Sequence, residues 1–284
     1  MERKKIRMIG LDLDGTVFND AKVITRHTKE VLAEAIREGV VVLPATGRPE
    51  CGLPEEFLQI PGVRYAVTSN GARVIDVVSG KAVYQQLIPC ETALRAIRLM
   101  RTWENCAWEV YFEGKVMVEE GEYRFLNHPD MTPALKEYMH KSRVPQKNLL
   151  EKIEREQINP EKIHMVFEDT DHRNRRMQEL AQTFPEFEVS NATTFNIEIN
   201  SVKAGKGTAL VELGKLLGIS REEIMACGDA TNDWNMLKMA GFPVVMANGD
   251  SETKKLAAFV TRSNEEDGVA YAIERFVLEG GNGK

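Results

Sequence analysis

The chain has 284 residues, of which 43% are hydrophobic, and its formal net charge is −6. A chain of this length has room for roughly two domains with buried cores, and an acidic balance without a long basic run argues against nucleic acid as a partner. Its longest apolar runs fall far short of the roughly 20 residues that cross a bilayer, so no membrane partner is expected.

Residues 6–16 read Ile-Arg-Met-Ile-Gly-Leu-Asp-Leu-Asp-Gly-Thr. The apolar run predicts a buried strand, and the alternation of side chains along an extended chain places Asp12 and Asp14 on the same side. In open α/β sheets the chemistry lies at the carboxyl ends of the strands. Two nearby carboxylates repel each other, so a cation or a shared proton is expected, and Mg²⁺ favours oxygen ligands of this kind. Taken alone, this stretch is equally typical of a plain turn.

The next elements alternate between helix and strand. Thr25 has the side chain of an N-cap, apolar residues then recur at helical spacing, and residues 40–43 form a second apolar strand that ends at Pro44-Ala45-Thr46-Gly47-Arg48. A strand, helix and strand of these lengths predict a parallel sheet. A third strand, at residues 65–68, ends at Ser69-Asn70-Gly71 and precedes a predicted hairpin.

The pattern changes near Pro89. Residues 92–103 are typical of an amphipathic helix, and residues 109–112 and 115–119 of strands, but no phosphate or metal motif occurs in this stretch. We interpret it as an inserted α+β domain. The predicted organisation is an α/β core domain formed by residues 1–86 and 191–284, with residues 87–190 inserted.

The α/β alternation then returns. Residues 206–217 carry leucines on one helical face, and residues 224–227 form an apolar strand that ends at Gly228-Asp229-Ala230-Thr231-Asn232-Asp233. Further strands and a last helix near Asp267 complete the core. Polar groups therefore follow several strands or begin a helix, and they converge if all belong to the carboxyl edge of one sheet.

This combination of groups suits phosphoryl transfer. A carboxylate can attack phosphorus and form an acyl phosphate, and a hydroxyl, a backbone N–H and a lysine can hold the phosphate oxygens. A cation would offset the repulsion between carboxylate and phosphate.

The chain resembles the haloacid dehalogenase (HAD) superfamily, in its Cof-like subfamily IIB of phosphatases. The resemblance covers nearly the whole chain, although it is weak in the inserted domain. It implies a Rossmann-like parallel sheet with an inserted α+β cap of the C2B type. The four family signatures stand in order as Asp12-Leu13-Asp14-Gly15-Thr16, Thr46-Gly47-Arg48, Lys206-Gly207, and Gly228-Asp229 with Asn232-Asp233.

The resemblance implies that Asp12 is the nucleophile and a metal ligand. It implies that Asp14 gives its main-chain carbonyl to the metal, while its side chain protonates the leaving group and then activates water. Asp229 is implied as the second carboxylate ligand, and Lys206 as the group that neutralises charge on the phosphoryl group. The metal implied is Mg²⁺.

The remaining matched residues are implied to bind phosphate or to support the site. Phosphate contacts are implied for Thr46, Asn232 and the backbone at Leu13 and Gly47. Asp233 is expected to orient a metal-bound water or Lys206 rather than to bind metal directly. Supporting roles are expected for Arg48, which would hydrogen-bond carbonyls near the site, and for Asn70, which would shape a turn or contact substrate. Lys203 is an alternative to Lys206 for the phosphate contact, but Lys206 is preferred because glycines flank it and a helix follows.

Two other nucleotide-binding interpretations fail. A P-loop around Gly205-Lys206-Gly207-Thr208 would need Ser or Thr directly after the lysine and a glycine where Ser201 stands. A dinucleotide fingerprint would need a third glycine where Leu210 stands.

The leading hypothesis is a Mg²⁺-dependent phosphatase acting on a small phosphorylated metabolite, such as a sugar phosphate, through a phospho-aspartate. The alternatives are a phosphomutase of the same superfamily and a non-catalytic sugar-phosphate-binding protein. Intact Asp12, Asp14, Lys206 and Asp229 argue against the binder, which needs no nucleophile. The inserted domain is expected to choose the substrate. The oligomeric state has no signature in the sequence.

A cytoplasmic location is expected. The N-terminal residues lead straight into the first strand without the features of a signal peptide. The four cysteines, Cys51, Cys90, Cys106 and Cys227, lack the spacing of a metal site, so they are predicted to be reduced thiols.

Overall fold

A computed structural model describes residues 5–121 and 131–278 of the chain. The strands are β1 (Met8–Leu11), β2 (Val41–Pro44), β3 (Tyr65–Thr68), β4 (Arg73–Asp76), β5 (Lys81–Gln85), β6 (Cys106–Phe112), β7 (Lys115–Glu119), β8 (Arg143–Gln146), β9 (Lys162–Phe167), β10 (Phe187–Ser190), β11 (Asn196–Ser201), β12 (Ile224–Gly228), β13 (Phe242–Val245) and β14 (Phe259–Val260). The α-helices are α1 (Arg26–Arg37), α2 (Glu55–Leu58), α3 (Cys90–Met100), α4 (Pro133–Ser142), α5 (Leu149–Glu156), α6 (Thr170–Thr183), α7 (Lys206–Leu217), α8 (Trp234–Met239), α9 (Ser251–Lys254) and α10 (Gly268–Ile273).

The described residues divide into two units. The core unit comprises the chain up to Gly47, then Leu53–Tyr84, and the chain from Gly205 onward. The inserted unit comprises Arg48–Gly52 and Gln85–Ala204. The core unit has a five-stranded sheet and the three-stranded sheet β3-β4-β5, the inserted unit has a six-stranded sheet, and each unit has its own apolar core.

The core unit contains a five-stranded parallel sheet with the order β14-β13-β12-β1-β2. Its strands are short apolar runs with few polar residues, as expected for strands that are covered on both faces. In the middle of β1, Gly10 pairs with Ala226 on one side and Leu43 on the other. The carboxyl ends of β12, β1 and β2 therefore lie side by side, and each is followed by a predicted site segment.

Helices cover both faces of this sheet. Ile9 and Leu11 point into an apolar cluster that includes residues of α1 and α10, whereas Met8 points into the opposite cluster with Leu210 and Leu213 of α7. This is the period-two alternation of a strand between two helical layers. The predicted bounds of α7 are those observed, and Thr25 caps α1 as predicted by accepting from the Thr28 N–H at 3.0 Å.

The inserted unit contains a mixed six-stranded sheet with the order β10-β11-β9-β6-β7-β8. Trp108 and Val110 of β6 face an apolar cluster that includes residues of α3, α5 and α6. The alternate residue Glu109 is buried and accepts from Nε of Arg143 at 3.0 Å. Burial on its own would raise the pKa of Glu109, but the charge of Arg143 and hydrogen bonds from His164 and Arg143 lower it to about 2.

The second boundary of the inserted unit differs from the predicted position at 190/191. The structure assigns residues 191–204 to the inserted unit, because β11 lies between β9 and β10 in its sheet. Ile197 and Ile199 of β11 pack into the apolar core of that unit, opposite Met165 and Ile163. Asn196 and Asn200, the polar residues that alternate with these isoleucines, are also buried, so β11 is covered on both faces within that unit.

The predicted fold class is confirmed. The chain has a parallel α/β sheet interrupted by an α+β unit with a largely antiparallel sheet. No helix among residues 5–121 and 131–278 is long and apolar enough to cross a membrane.

Candidate active site

Asp12 stands at the first position after β1. Its N–H donates to the carbonyl of Cys227 at 3.0 Å, so the parallel pairing with β12 extends to the residue that carries the carboxylate. The residue is only 5% exposed. Because β1 is a buried central strand, its carboxyl end delivers this side chain to one fixed place.

Lys206 connects Asp12 with Asp233. Its Nζ lies 2.6 Å from Oδ1 of Asp12 and 2.7 Å from Oδ1 of Asp233, and the three side chains are almost completely buried. Burial alone would lower the pKa of Lys206, but the two carboxylates outweigh it and raise the pKa above its ordinary value. The lysine therefore stays charged. Lys203, the alternative considered above, is exposed.

Asp233 also shapes the segment after β12. Its Oδ2 accepts from the N–H of Asp229 at 3.0 Å and from that of Ala230 at 3.3 Å. Both carboxylate oxygens are thus engaged, one with Lys206 and one with backbone. Asp233 thus bridges Lys206 and the backbone after β12, and its role in orienting Lys206 stays a prediction.

Asp229 contacts the residues that follow β1. The hydroxyl of Thr16 donates to Oδ1 of Asp229 at 2.8 Å. Gly15 has φ of +82°, and a Cβ built there would lie 2.5 Å from Oδ2 of Asp229. Only glycine combines this backbone conformation with so close a carboxylate.

Three carboxylates meet at this point. Asp12, Asp229 and Asp233 each offer a ligand oxygen, and these oxygens lie within 4.8 Å of one another. Burial and the charge of Asp233 raise the pKa of Asp12 to about 7, although Lys206 lowers it in part. Burial, followed by the charge of Asp233, raises the pKa of Asp229 to about 6 despite the hydrogen bond from Thr16. One ammonium does not balance three carboxylates, so the cluster has the donor set and the charge for a divalent cation.

Asp14 lies in a different environment from Asp12. It is exposed, and its Oδ1 lies 2.9 Å from Nζ of Lys22. It is near enough to Asp229 to contribute to the raised pKa of that group. The chain turns after Leu13, whose carbonyl accepts from the N–H groups of Val17 and Phe18, so a common direction of Asp12 and Asp14 stays a prediction. One carboxylate is consequently buried and the other open to solvent.

The predicted phosphate-binding residues lie at neighbouring chain ends. The N–H of Ala45 donates to the carbonyl of Leu11 at 2.7 Å, which brings the end of β2 beside the end of β1, and the next residue, Thr46, is buried. The N–H of Asn70 donates to the carbonyl of Thr46 at 3.1 Å, and Asn70 has φ of +59°. Asn70 thus shapes the turn beside Thr46, as one of its two expected roles requires.

Two further predicted residues, Arg48 and Asn232, lie on other segments. Arg48 belongs to the inserted unit, where its guanidinium lies 5.8 Å from the ring centre of Tyr138. Asn232 is exposed on the short 3₁₀ turn that ends at Asp233. Phosphate contacts of Thr46, Gly47, Leu13 and Asn232 remain predictions.

Sequence reasoning missed residues that hold the site from outside the motifs. The amide of Asn248 donates to the carbonyl of Gly15 at 2.8 Å, and its Oδ1 accepts from the N–H of Asn264. Asn264 in turn donates to the carbonyl of Phe18 at 3.1 Å. The bonds to Gly15 and Phe18 each join residues more than 200 positions apart. The only local signal was that these asparagines lie in loops after late strands.

Comparison with known proteins places this geometry in a family. A sequence profile described as "haloacid dehalogenase-like hydrolase" matches residues 9–273. A 5-amino-6-(5-phospho-D-ribitylamino)uracil phosphatase of Bacillus subtilis is 29% identical over 279 residues, covering 96% of this chain and 96% of its own length. Among solved structures, a haloacid dehalogenase-like hydrolase of B. subtilis has 26% identity and a TM-score of 0.82, covering 96% of this chain and 100% of its own. Another, from Bacteroides thetaiotaomicron, has 28% identity and a TM-score of 0.79 over 95% of this chain and 99% of its own.

The buried Asp12–Lys206–Asp233 chain of ion pairs and the Asp229 carboxylate occupy the positions of the sequence signatures from which the family was expected. The profile match spans most of the chain, and full-length relatives carry phosphatase names. The chain therefore belongs to the haloacid dehalogenase-like hydrolases and is a phosphatase.

Proposed function

We propose that the protein is a Mg²⁺-dependent phosphatase that hydrolyses small phosphate monoesters of the sugar-phosphate kind through a phospho-aspartate on Asp12. The observation that carries the proposal is the buried Lys206, which lies 2.6 Å from Asp12 and 2.7 Å from Asp233. An ammonium at this place stabilises a carboxylate nucleophile and faces the group that the nucleophile would attack.

The proposed reaction has two halves. First, a carboxylate oxygen of Asp12 bonds to phosphorus while the ester oxygen leaves with its electron pair and takes a proton from Asp14. Water then attacks the phosphorus of the acyl phosphate and gives a proton to Asp14, which releases phosphate and restores the Asp12 carboxylate. The exposure of Asp14 supports this role, because a proton donor and acceptor must reach both the leaving group and water.

The residues that would hold Mg²⁺ are Asp12 and Asp229 through their carboxylates and Asp14 through its main-chain carbonyl. Bound there, the ion supplies positive charge that offsets the repulsion between the carboxylates and the substrate phosphate. Thr16 donates to the carboxylate of Asp229, and Asp233 accepts from its backbone N–H, so Asp229 is held in place before any ligand arrives. Thr46, Asn232 and the backbone N–H groups at Leu13 and Gly47 would contact the phosphate oxygens.

The substrate class rests on chemistry and on similarity. The core residues can bind a phosphate group but carry nothing that selects the alcohol. The relative from B. subtilis is named for a substrate with a phosphate on an open-chain sugar alcohol. A small phosphorylated polyol or sugar is therefore proposed here. The four cysteines are free thiols, which supports a reducing, cytoplasmic setting.

The test is phosphate release from a panel of sugar, polyol and aryl phosphates, measured after chelation and again with added Mg²⁺ or Ca²⁺. Activity should be lost on chelation, return with Mg²⁺ and return poorly with Ca²⁺, which takes more ligands at longer distances. Full activity after exhaustive chelation would contradict the metal requirement. No release of phosphate from any monoester of the panel in the presence of Mg²⁺ would contradict the substrate class.

The role of Asp14 predicts a dependence on the leaving group. Asp14→Asn removes the proton donor, so kcat should fall steeply for alkyl phosphates, by on the order of 10²-fold, and much less for aryl phosphates, whose leaving groups need little protonation. The measurement is kcat for a series of aryl phosphates whose phenol leaving groups differ in pKa. It tests the role of Asp14 when single-turnover experiments show that the first half of the reaction limits the rate.

The matched control for this experiment is Lys22→Met, which removes the partner of Asp14 but leaves its carboxyl group. Both side chains of that pair are about half exposed, and exposed ion pairs contribute little. The Lys22 variant should keep kcat within about threefold. If the first half of the reaction limits the rate and Asp14→Asn lowers kcat equally for every leaving group, then Asp14 is not the acid that protonates the leaving group.

A further inference from the structure

The helix that begins with Lys206 lacks a side-chain cap of its own. Its N-cap position is Gly205, which has no side chain. The first N–H groups of a helix have no partner within the helix, and an uncapped start is free to fray. Fraying at this position would matter, because the first helical residue carries the buried ammonium beside Asp12.

Asn235, on the neighbouring helix α8, supplies the missing cap. Its Oδ1 accepts from the N–H of Gly207 at 2.8 Å and from the N–H of Thr208 at 3.3 Å. These are the second and third residues of α7, the donors that an N-cap side chain ordinarily satisfies. The cap thus comes from a residue 28 positions away from Gly207 in the sequence.

Gly205 makes this approach possible. A Cβ built on Gly205 would lie well inside van der Waals contact of the side-chain amide of Asn235. Any other residue at the N-cap position would displace the side-chain amide of Asn235 from this place. The glycine before the lysine, which the sequence motif did not explain, is therefore matched to the asparagine.

Asn235 follows Asp233 by one intervening residue. Within this short stretch, Asp233 holds the tip of Lys206 at 2.7 Å, and Asn235 holds the backbone from which Lys206 extends. The ammonium of Lys206 and the backbone that follows it are therefore both held by the segment that contains Asp233 and Asn235. The distance between Nζ and Asp12 depends on both attachments.

We propose that Asn235 is a positioning residue of the phosphatase reaction, which fixes the start of α7 so that Lys206 reaches Asp12. The inference rests on the proposed role of Lys206 in stabilising the phosphoryl group. Displacements of about 1 Å in such a group can cost on the order of 10²-fold in rate. Loss of the cap is expected to loosen the first turn of α7 without unfolding the helix. We therefore expect a smaller loss in kcat, of about tenfold.

The first experiment compares Asn235→Ala with Asn235→Asp, using a small aryl phosphate such as p-nitrophenyl phosphate. Asn235→Asp keeps an oxygen acceptor, and a carboxylate is favourable at a helix N-terminus. It should stay within about threefold of the parent kcat, whereas Asn235→Ala should lose about tenfold. Equal losses in the two variants, or a folded Asn235→Ala with full kcat, would overturn the proposal.

The control for a general loss of stability is Thr25→Ala, which removes the cap of α1 and the hydrogen bond from the Thr25 hydroxyl to Asp267. Helix α1 belongs to the same unit and carries no predicted site residue. Loss of a capping side chain destabilises the start of a helix, so this variant should lower the melting temperature while its kcat at 25 °C stays unchanged. A drop in kcat as large as that of Asn235→Ala would show that any lost cap has the same effect, and the proposal would fail.

A double-mutant cycle separates this inference from the proposed function. If Asn235 acts through Lys206, then Asn235→Ala should lower kcat by less than about twofold when Lys206 is already alanine, because the two effects are not additive. A further tenfold loss in that background would overturn the positioning role. If Lys206→Ala alone leaves kcat unchanged, the proposed function itself fails; if it lowers kcat while Asn235→Ala does not, only this inference fails.

Discussion

Replacing Asp12 with asparagine is expected to lower kcat by on the order of 10³-fold or more. Asparagine keeps the shape of the side chain but has no charged oxygen with which to attack phosphorus, and it removes one of the two carboxylates proposed to hold Mg²⁺. Steady-state kinetics with an aryl phosphate and a sugar phosphate should show the same loss for both substrates, because the change acts on the phosphoryl group that they share.

The variant should remain folded. Lys206 keeps its ion pair with Asp233 when Asp12 becomes neutral, and an amide can accept a hydrogen bond from the ammonium. The melting temperature is therefore expected to stay within a few degrees of the parent. A purified, folded Asp12→Asn enzyme with near-normal turnover would remove covalent catalysis by this residue from the account.

The second large effect is expected for Lys206→Met, which should lower kcat by about 10²- to 10³-fold. The substitution keeps the bulk of the buried chain but leaves the carboxylates of Asp12 and Asp233 without their shared ammonium. Removing one partner of a buried ion pair costs on the order of 3–5 kcal/mol. Thermal unfolding should therefore show a clear loss of stability, and kinetics must be measured well below the lowered melting temperature.

Lys203 provides the matched control, since it is an exposed lysine three residues before Lys206. Lys203→Met should leave both kcat and the melting temperature unchanged. Lys206→Arg should have a kcat as low as that of Lys206→Met, because a planar guanidinium cannot replace a compact ammonium between two carboxylates. A large loss of kcat in Lys203→Met, with none in Lys206→Met, would show that Lys203 and not Lys206 is the lysine of the site.

Much of the core could be read from local sequence. The apolar run of β1 ending in Asp12, and the helix from Lys206 to Leu217, were predicted because the spacing of apolar residues is a property of a few adjacent residues. The residues that gather in the acidic cluster were also foreseeable, since the carboxyl ends of parallel strands share one edge.

Other parts of the fold and the site could not be predicted, because they depend on contacts between residues that are far apart in the sequence. The strand β11 was missed because its alternation is compatible with either unit until its partners, β9 and β10, are known. The bond from Asn235 to Gly207 and the bond from Asn248 to Gly15 join distant parts of the chain. The exposure of Asp14 beside Lys22 depends on the turn after Leu13, which breaks the alternation of a strand.

The central claim is that Asp12 forms a covalent phospho-aspartate. The stereochemical course at phosphorus tests it most directly, using a phosphorothioate monoester made chiral by isotopic labelling and hydrolysed in water enriched in a heavy oxygen isotope. Attack by Asp12 followed by attack of water inverts the phosphorus twice, so the account predicts overall retention of configuration. Overall inversion would mean that water attacks the substrate directly, and it would contradict the role assigned to Asp12.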